Sequence, residues 1–380
     1  MQNTEEQTQE ALFLFRKILE IPSVNGQDNE GAVADYISQY FRQHGVASHV
    51  IKIDNKHANV IADIPGKRND DTIIWNGHLD TVPYGDLSKW VSNPAVVTVR
   101  GDRLYGRGAS DMKSGLSAMV YALTHLLSEP SCSIRFIGTC DEEKYGIGAA
   151  AARDQGMTEG CRFILIGEPT GMKLGTAHKG CLWLKITLHG QTSHGAYPEK
   201  GVNAIHCFYT LAERIVEYVS GFSHPVLGRA TAQIDMIRGG MAPNMTADLC
   251  EGVLDIRMVP GLTTGMVLDF ARAILDGMQE TRHSLTAEFT VLTDRRAFDI
   301  DPEEEHVKVV RSLIRNMGYE GTDRGINFFT DASVFAADDM DAKVLLFGPG
   351  EPEMAHQANE YVEIKKYLDA IEVFKKFACE

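Results

Sequence analysis

The sequence predicts an α/β protein, in which a mostly parallel sheet flanked by helices carries an inserted ferredoxin-like α+β domain. Short apolar runs alternate with helical patterns in the first half of the chain and return near its end, which is typical of parallel strands joined by crossover helices. The middle of the chain instead has the order strand–helix–strand–strand–helix–strand, the split pattern of a ferredoxin-like fold. A length of 380 residues also exceeds one ordinary core, so two domains are expected.

The larger domain is predicted to comprise residues 1–176 and 291–380. It begins with an amphipathic helix whose apolar side chains share one side, namely Leu12, Phe13, Phe15, Ile18 and Leu19. Further helices are predicted over 112–127 and 364–378. The predicted strands are the short apolar runs 73–75, 132–138, 162–166 and 343–347, together with the segment 104–106.

The inserted domain is predicted to span residues 177–290. Its helices are expected over 201–219 and 264–281, where apolar residues recur at helical spacing. Its strands are expected in four β-type segments, 181–189, 231–237, 247–258 and 287–292.

Charge and cysteine usage exclude several classes of function. A net charge of −15 disfavours nucleic acid and anionic membranes as partners, because both attract basic surfaces. The N-terminus lacks the basic and apolar regions of a signal peptide, and no stretch is long enough to span a membrane. The seven cysteines are scattered and form no C-x-x-C, which favours free thiols in a reducing compartment. A cytoplasmic enzyme is therefore expected.

Residues that can bind metal follow five predicted strands of the larger domain. Ligands of parallel α/β sheets gather at the carboxyl ends of strands, so these side chains are expected to meet. Two imidazoles and three carboxylates suit two Zn²⁺ ions with one bridging carboxylate. The five residues are His78, Asp111, Glu143, Glu168 and His356.

Two further acidic residues adjoin these candidates. Glu142 precedes Glu143 and would point elsewhere, so it is a candidate general base for a metal-activated water. Asp80 could accept the second ring N–H of His78 and fix its tautomer. Taken singly, each residue could be a solvated loop residue, and Asp111 could merely cap the following helix. Their recurrence at five strand ends favours a metal site.

Seven motifs resemble the M20 metallopeptidase family and, within it, the acetylornithine deacetylase/succinyl-diaminopimelate desuccinylase group. They span nearly the whole chain in the family's order. They are GHLDTVP (77–83), GRGASDMKSG (106–115), DEE (141–143), GEP (167–169), SHGAYPEKGVNAI (193–205), DIRMVPG (255–261) and FGPGEPEMAHQANEYV (347–362). The segments GDLSKW (85–90), EPTG (168–171) and AHKG (177–180) are closest to desuccinylase members of that group.

The resemblance implies a zinc-exopeptidase-like fold with an inserted dimerisation or lid domain, a homodimer, and two Zn²⁺ ions that Co²⁺ or Mn²⁺ could replace. By that resemblance His78 and Glu168 would hold one ion, Glu143 and His356 the other, and Asp111 would bridge them.

The resemblance also implies catalytic and substrate-binding roles. Glu142 would be the base and acid, and Asp80 would orient His78. His194 of the inserted domain would reach the partner subunit's active site and help hold the oxyanion. Arg257 and Asn244 would bind the substrate's carboxylate or backbone.

One loop departs from the family pattern. Phe328 and Phe329 precede Thr330-Asp331, where many relatives have two glycines. Because that loop borders the substrate pocket in relatives, Thr330 is a candidate substrate contact. The implied reaction is removal of the N-acyl group from a small N-acyl amino acid, foremost N-succinyl-L,L-diaminopimelate in lysine biosynthesis. N-acetylornithine, other N-acyl amino acids and dipeptides stay open, since all present an amide beside a carboxylate.

Three other classes fit the residues less well. Ser193-His194 could indicate a serine hydrolase, but the chain has no G-x-S-x-G, and adjacent residues rarely form the required geometry. A non-catalytic binding protein would not need every matched catalytic position intact. A dinucleotide-binding protein would carry G-x-G-x-x-G in the turn after its first strand, and this sequence does not.

Overall fold

The computed structural model describes residues 2–335 and 343–380, which form two compact units. The first comprises the described residues of Met1–Thr176, Ile300–Arg324 and Thr330–Glu380, and the second comprises Ala177–Asp299 and Gly325–Phe329. The predicted second boundary, after residue 290, falls inside a strand that runs from Thr286 to Arg295. The structure places this boundary after Asp299, because that strand remains paired within the second unit.

The described chain contains helices and strands throughout its length. The helices there are α1 Gln2–Glu20, α2 Gly31–Gln43, α3 Lys113–Thr124, α4 Ile147–Asp154, α5 Ala204–Ser220, α6 Thr264–Gln279, α7 Glu305–Asn316, α8 Ala332–Phe335 and α9 Ile364–Cys379. The strands there are β1 Ser48–Lys52, β2 Ala58–Ile64, β3 Arg68–His78, β4 Thr98–Arg100, β5 Arg103–Tyr105, β6 Cys132–Thr139, β7 Cys161–Ile166, β8 Leu174–His178, β9 Gly180–His189, β10 Ser223–His224, β11 Gly228–Arg229, β12 Thr231–Gly239, β13 Leu249–Met258, β14 Thr286–Arg295, β15 Phe298–Asp299, β16 Asp323–Ile326, β17 Lys343–Leu346 and β18 Tyr361–Glu363.

The large sheet of the first unit confirms the α/β prediction. Its strands lie in the order β1-β2-β6-β3-β7-β17-β8, and the four central strands, β6, β3, β7 and β17, run parallel. The strands on either side of them pair antiparallel. His78, at the end of β3, lies in register with Thr139 at the end of β6, and Ile166 of β7 with Leu346 of β17. The loops after these strands therefore leave from one edge of the sheet.

Helix α1 packs on this unit through a narrower apolar stripe than predicted. Leu14, Phe15 and Ile18 are fully buried, and Leu19 is nearly so. Phe13 was wrongly predicted to lie on the same side, since it is 57% exposed. At 3.6 residues per turn, position 13 lies outside the arc that positions 14, 15 and 18 share.

The second unit contains an antiparallel sheet of four strands in the order β12-β13-β9-β14. Its helices α5 and α6 pack together through Tyr218 and Phe270, whose ring centroids are 4.1 Å apart. The chain order β9-α5-β12-β13-α6-β14 gives the split pattern predicted for it. Side chains at alternate positions of β9, including Leu184 and Ile186, are buried against the helices.

Helices α2 and α7 and the antiparallel pair β1–β2 were not predicted. α7 carries a helical apolar period, visible in the buried Val307, Val310 and Ile314, so its signal was present in the sequence. The seven cysteines form no disulfide within the described residues. No helix in the described part of the chain is long and apolar enough to cross a membrane.

Candidate metal centre and active site

The end of β3 places His78 against Asp111. The imidazole is 1% exposed, and its Nε2 lies 3.0 Å from Asp111 Oδ1. Its Nδ1 lies 3.0 Å from the backbone carbonyl of Asp80 and 3.6 Å from the Asp80 carboxylate. Asp80 therefore contacts the ring chiefly through its carbonyl. Burial lowers the pKa of His78, but the hydrogen bonds to Asp111 and Asp80 outweigh burial and raise it well above the ordinary value.

Asp111 also faces the second histidine. Its Oδ2 lies 3.4 Å from His356 Nε2, and that nitrogen lies 2.9 Å from Glu143 Oε2. The five predicted ligands form two overlapping groups that share Asp111, with the ligand atoms of each group within 4.8 Å of one another. The groups are His78, Asp111 and Glu168, and Asp111, Glu143 and His356. This sharing is the arrangement that a bridging carboxylate between two ions requires.

Four of these residues follow parallel strands of the large sheet, as predicted, but Asp111 does not. It follows β5, which belongs to a separate three-stranded sheet in the order β18-β5-β4. The prediction that Asp111 lies at a strand end of the parallel sheet was therefore wrong, although the side chain reaches the same place. The loop between β5 and α3 carries it there.

That loop is held by Glu360, a residue that was not predicted. The Glu360 carboxylate is 1% exposed and forms a buried ion pair with Arg107, 2.7 Å away. It also accepts the backbone N–H groups of Gly108, Ser110 and Asp111 at 3.0, 2.8 and 2.9 Å. One carboxylate thus accepts three backbone N–H groups of the turn that carries Asp111. In the sequence, the position of Glu360 within the 347–362 motif was the one indication of a role. No residue spacing identifies the loop residues with which it pairs.

A second network that was not predicted supports Asp80. Asn25 Nδ2 donates to Asp80 Oδ2 and to Asp141 Oδ1, each at 2.9 Å. The Asp80 carboxylate accepts the backbone N–H groups of Glu142 and Glu143, each at 3.2 Å. These contacts fix the turn after β6, in which Asp141 has a left-handed backbone with φ 59°. The turn sends Glu142 and Glu143 in different directions.

The donor set fits a metal centre. His78 and His356 face an excess of buried carboxylates, and an excess of buried negative charge requires a cation for compensation. Glu168 is 2% exposed, and its Oε2 has no hydrogen-bond partner among the described residues. Burial, and then the charges of Asp111 and Glu143, raise the pKa of Glu168 well above the ordinary value against the opposing charge of His78. An ion at this position would satisfy the unpaired oxygen.

Glu142 has the environment of a general base. It is 7% exposed, and burial raises its pKa well above the ordinary value. The charge of His78 opposes that shift, while Glu168 and Asp331 add to it. A carboxylate with a raised pKa can hold a proton between two steps at neutral pH, as general acid–base catalysis requires.

Thr330 lies in the first unit, two residues before α8. It is 1% exposed, and its hydroxyl accepts the N–H of Ala332 at 3.2 Å at the start of α8. The neighbouring Asp331 is buried too and accepts a hydrogen bond from Thr139 Oγ1 at 2.5 Å. A substrate contact through Thr330 stays a prediction, because a hydroxyl that accepts one hydrogen bond can still donate another.

The remaining candidates belong to the second unit. His194 and Asn244 are exposed on two loops that are joined by the N–H of Gly195, which donates to the Asn244 carbonyl at 2.8 Å. His194 Nδ1 accepts the N–H of Ala196 at 3.1 Å, so the other ring nitrogen carries the proton and can donate. Arg257, on β13, pairs with Asp255 through its Nε at 2.8 Å.

Comparison with known proteins matches this geometry to one family. The sequence profile of peptidase family M20/M25/M40 matches residues 74–380. The chain is 29% identical over 405 aligned residues to a probable succinyl-diaminopimelate desuccinylase of Staphylococcus aureus (strain MRSA252), covering 98% of this chain and 97% of that protein.

Solved structures share the fold. The aminopeptidase PepT of Bacillus cereus ATCC 10987 superposes with a TM-score of 0.76 at 18% identity, covering 98% of each chain. The Bacillus subtilis YXEP protein, described as a dinuclear metal-binding peptidase of family M20, superposes with a TM-score of 0.72 at 15% identity, covering 98% of each chain. The predicted resemblance is confirmed, and this chain belongs to peptidase family M20/M25/M40, whose members hydrolyse amide bonds.

Proposed function

We propose that this chain is a metal-dependent desuccinylase that releases succinate from N-succinyl-L,L-diaminopimelate, a step of lysine biosynthesis. The observation that carries the catalytic part is the pair of ligand groups sharing Asp111, with the buried Glu142 beside them. The desuccinylase relative, aligned over nearly the full length of both chains, supports the choice of acyl group.

In this proposal one divalent ion would be held by His78 and Glu168 and a second by Glu143 and His356, with Asp111 shared between the two groups. Zinc is the first candidate, and cobalt or manganese could substitute. Such ions, when bound, lower the pKa of a water and polarise an amide carbonyl.

The chain's own residues move the protons. Glu142 takes a proton from the attacking water and passes it to the leaving amine, so the amide C–N bond breaks to give a carboxylic acid and a free amine. Asp80 keeps His78 in one tautomer through its carbonyl.

The second unit supplies the substrate contacts in this proposal. The protonated ring nitrogen of His194 donates to the oxyanion, and Asn244 contacts the substrate backbone. Arg257 binds a substrate carboxylate, and its contact with Asp255 holds the guanidinium in a fixed orientation. Both halves of the proposed substrate carry carboxylates, which suits a guanidinium partner.

A substrate screen tests the acyl group. The purified enzyme, supplied with zinc or cobalt, is offered N-succinyl-L,L-diaminopimelate, N-acetylornithine and several dipeptides, while its metal content is measured in parallel. We expect the succinyl substrate to have the highest kcat/KM and a chelator to abolish its turnover. Preference for another substrate would overturn the desuccinylase assignment, whereas turnover that survives metal removal would overturn the mechanism.

We also propose a homodimer in which His194 serves the partner subunit's site. Mixing two inactive variants, Glu142→Gln and His194→Ala, tests this directly. If His194 acts across the dimer, a mixed dimer contains one intact site, and an equimolar mixture after subunit exchange regains about a quarter of the wild-type activity. If His194 acts within its own subunit, the mixture stays inactive.

A further inference from the structure

Three side chains that can bind metal meet on the first unit, away from the residues of the proposed catalytic centre. Glu10 lies on α1, while His44 and His125 are the C-cap residues that directly follow α2 and α3. Their ligand atoms all lie within 4.8 Å of one another. Glu10 Oε1 is 3.5 Å from His44 Nε2, and Glu10 Oε2 is 3.4 Å from His125 Nε2.

Both histidine rings have the orientation that is common for metal-bound histidines, with Nδ1 facing a backbone carbonyl and Nε2 facing the site. His44 Nδ1 lies 2.8 Å from the carbonyl of Tyr40, and His125 Nδ1 lies 3.1 Å from the carbonyl of Tyr121. A carbonyl can only accept, so Nδ1 of His44 carries the proton. Nδ1 of His125 does so as well when the nearby Thr124 hydroxyl, 3.0 Å away, donates to the carbonyl of Val120. In the neutral ring each Nε2 then keeps its lone pair, and both face Glu10. A backbone carbonyl that fixes the outer nitrogen is the usual second partner of a metal-bound histidine.

The separations favour an ion over direct hydrogen bonds. Nitrogen-to-oxygen hydrogen bonds cluster at about 2.7–3.2 Å, shorter than either contact of Glu10. Two ligand bonds of about 2.0–2.1 Å at a tetrahedral ion place the ligand atoms about 3.3–3.4 Å apart, and each imidazole lies near that distance from a different oxygen of the Glu10 carboxylate.

We propose that Glu10, His44 and His125 form a separate binding site for one divalent transition-metal ion, with Zn²⁺ as the first candidate. Two imidazoles and a carboxylate suit zinc, and three protein ligands leave the fourth position to water. The side chains of His44 and His125 are 26% and 21% exposed, so an ion can reach the site from solvent. Binding would join α1 to the ends of α2 and α3.

A positive charge of α9 lies near the site. Lys375 Nζ is 5.2 Å from the centroid of the Tyr121 ring, on which His125 stacks, and 3.2 Å from Glu372 Oε1. Glu372 therefore offsets part of the repulsion that Lys375 would exert on a bound cation.

Metal stoichiometry of the whole enzyme tests the site. Wild type and the His44→Gln/His125→Gln variant are equilibrated with buffered Zn²⁺, and the zinc per chain is measured by mass spectrometry. Glutamine can still donate to the carbonyls of Tyr40 and Tyr121, but it removes the imidazole ligands. We expect the variant to bind one zinc fewer per chain, while turnover stays at the wild-type value. Because the readout is a difference between two proteins, it does not depend on how many ions the catalytic centre holds.

The matched control is His49→Gln, which removes an exposed histidine of β1 and should leave the zinc count unchanged. Glu10→Gln gives a second test and should weaken zinc binding at this site by at least about 10-fold. In the unmodified protein, Zn²⁺ should protect His44 and His125, but not His49, from diethylpyrocarbonate, as read by peptide mass spectrometry. Equal zinc counts in wild type and the double variant, or unchanged labelling of His44 and His125, would overturn the proposal.

Discussion

The backbone N–H of Asp111 donates to Oε1 of Glu360 at 2.9 Å, across 249 positions of the sequence. The same carboxylate pairs with the buried guanidinium of Arg107, so the loop that presents the shared metal ligand is built around one acidic side chain. Residues behind a ligand usually decide its orientation and so affect metal affinity. Glu360 is therefore a positioning residue for the proposed centre.

Replacing Glu360 with Ala should weaken zinc binding at the catalytic centre by about 10- to 100-fold, because Asp111 loses the support of its loop. It should also lower the free energy of unfolding by about 3–5 kcal/mol, since Arg107 would remain as a buried, unpaired charge. Competition with a zinc chelator and urea unfolding measure the two effects. Glu363→Ala, which alters a partly exposed glutamate nearby, is the control and should change neither. Wild-type zinc affinity in the Glu360 variant would remove its positioning role.

The sequence predicted most of the large sheet and the neighbourhood of the ligands for one physical reason. Parallel strands end at a common edge of the sheet, so polar residues directly after them lie close together in space. His78 and Glu168 are located in this way by their strands alone. The role of Glu360 could not be predicted in this way. It depends on distant backbone N–H groups that only the folded chain brings to this carboxylate, and no local sequence pattern indicates that pairing.

The errors of the sequence-based predictions have the same origin. The inserted domain was predicted to end after residue 290, but pairing with β9 extends β14 to Arg295 within the second unit. Asp111 was assigned to the parallel sheet because it follows the predicted strand 104–106, yet that strand, β5, pairs with β4 and β18. In both cases pairing between distant strands determined the structure, and the periodicity of apolar residues does not indicate which strands pair.

Two adjacent glutamates should separate catalysis from metal binding. Glu142→Gln keeps the shape of the side chain and removes the base, so kcat should fall by about 10²- to 10⁴-fold with the metal content unchanged. Glu143→Gln removes a carboxylate that lies 2.9 Å from His356 and should lower the metal content itself. Steady-state kinetics and metal analysis of both variants distinguish the two roles. Full turnover by Glu142→Gln would exclude this residue as the base.

Two helical glycines should respond to alanine in opposite directions. A Cβ at Gly115 of α3 would lie 1.8 Å from the carbonyl oxygen of Gly167, which directly precedes Glu168. Gly115→Ala should therefore destabilise the fold by about 1–3 kcal/mol and also lower zinc affinity, because the helix and the strand end must separate. Thermal unfolding and zinc titration measure both effects.

Gly277 of α6 is the matched control for Gly115. A Cβ there meets nothing within 4 Å, so alanine should only improve helix propensity and stabilise the protein by up to about 1 kcal/mol. If both alanine variants were equally stable, close packing of α3 on the strand end would not limit the fold.

His178 should make stability depend on pH. It is fully buried at the end of β8, and burial lowers its pKa from the ordinary 6.5 to about 4. The unfolded chain therefore binds more protons between these values, so the stabilising contribution is complete above pH 6.5 and is lost as the pH falls towards 4. Between pH 7 and pH 5 the loss should be about 2 kcal/mol.

Urea unfolding of wild type and His178→Gln at both pH values isolates this contribution, since changes common to the two proteins cancel. The wild type should lose about 2 kcal/mol more than the variant on acidification, because only the wild type must place a proton on a ring whose Nε2 has no partner among the described residues. His189→Gln, which alters an exposed histidine at the end of β9, should retain the wild-type pH dependence. Parallel pH profiles for wild type and His178→Gln would mean that the buried imidazole is solvated or paired on acidification, contrary to its enclosure against Phe298.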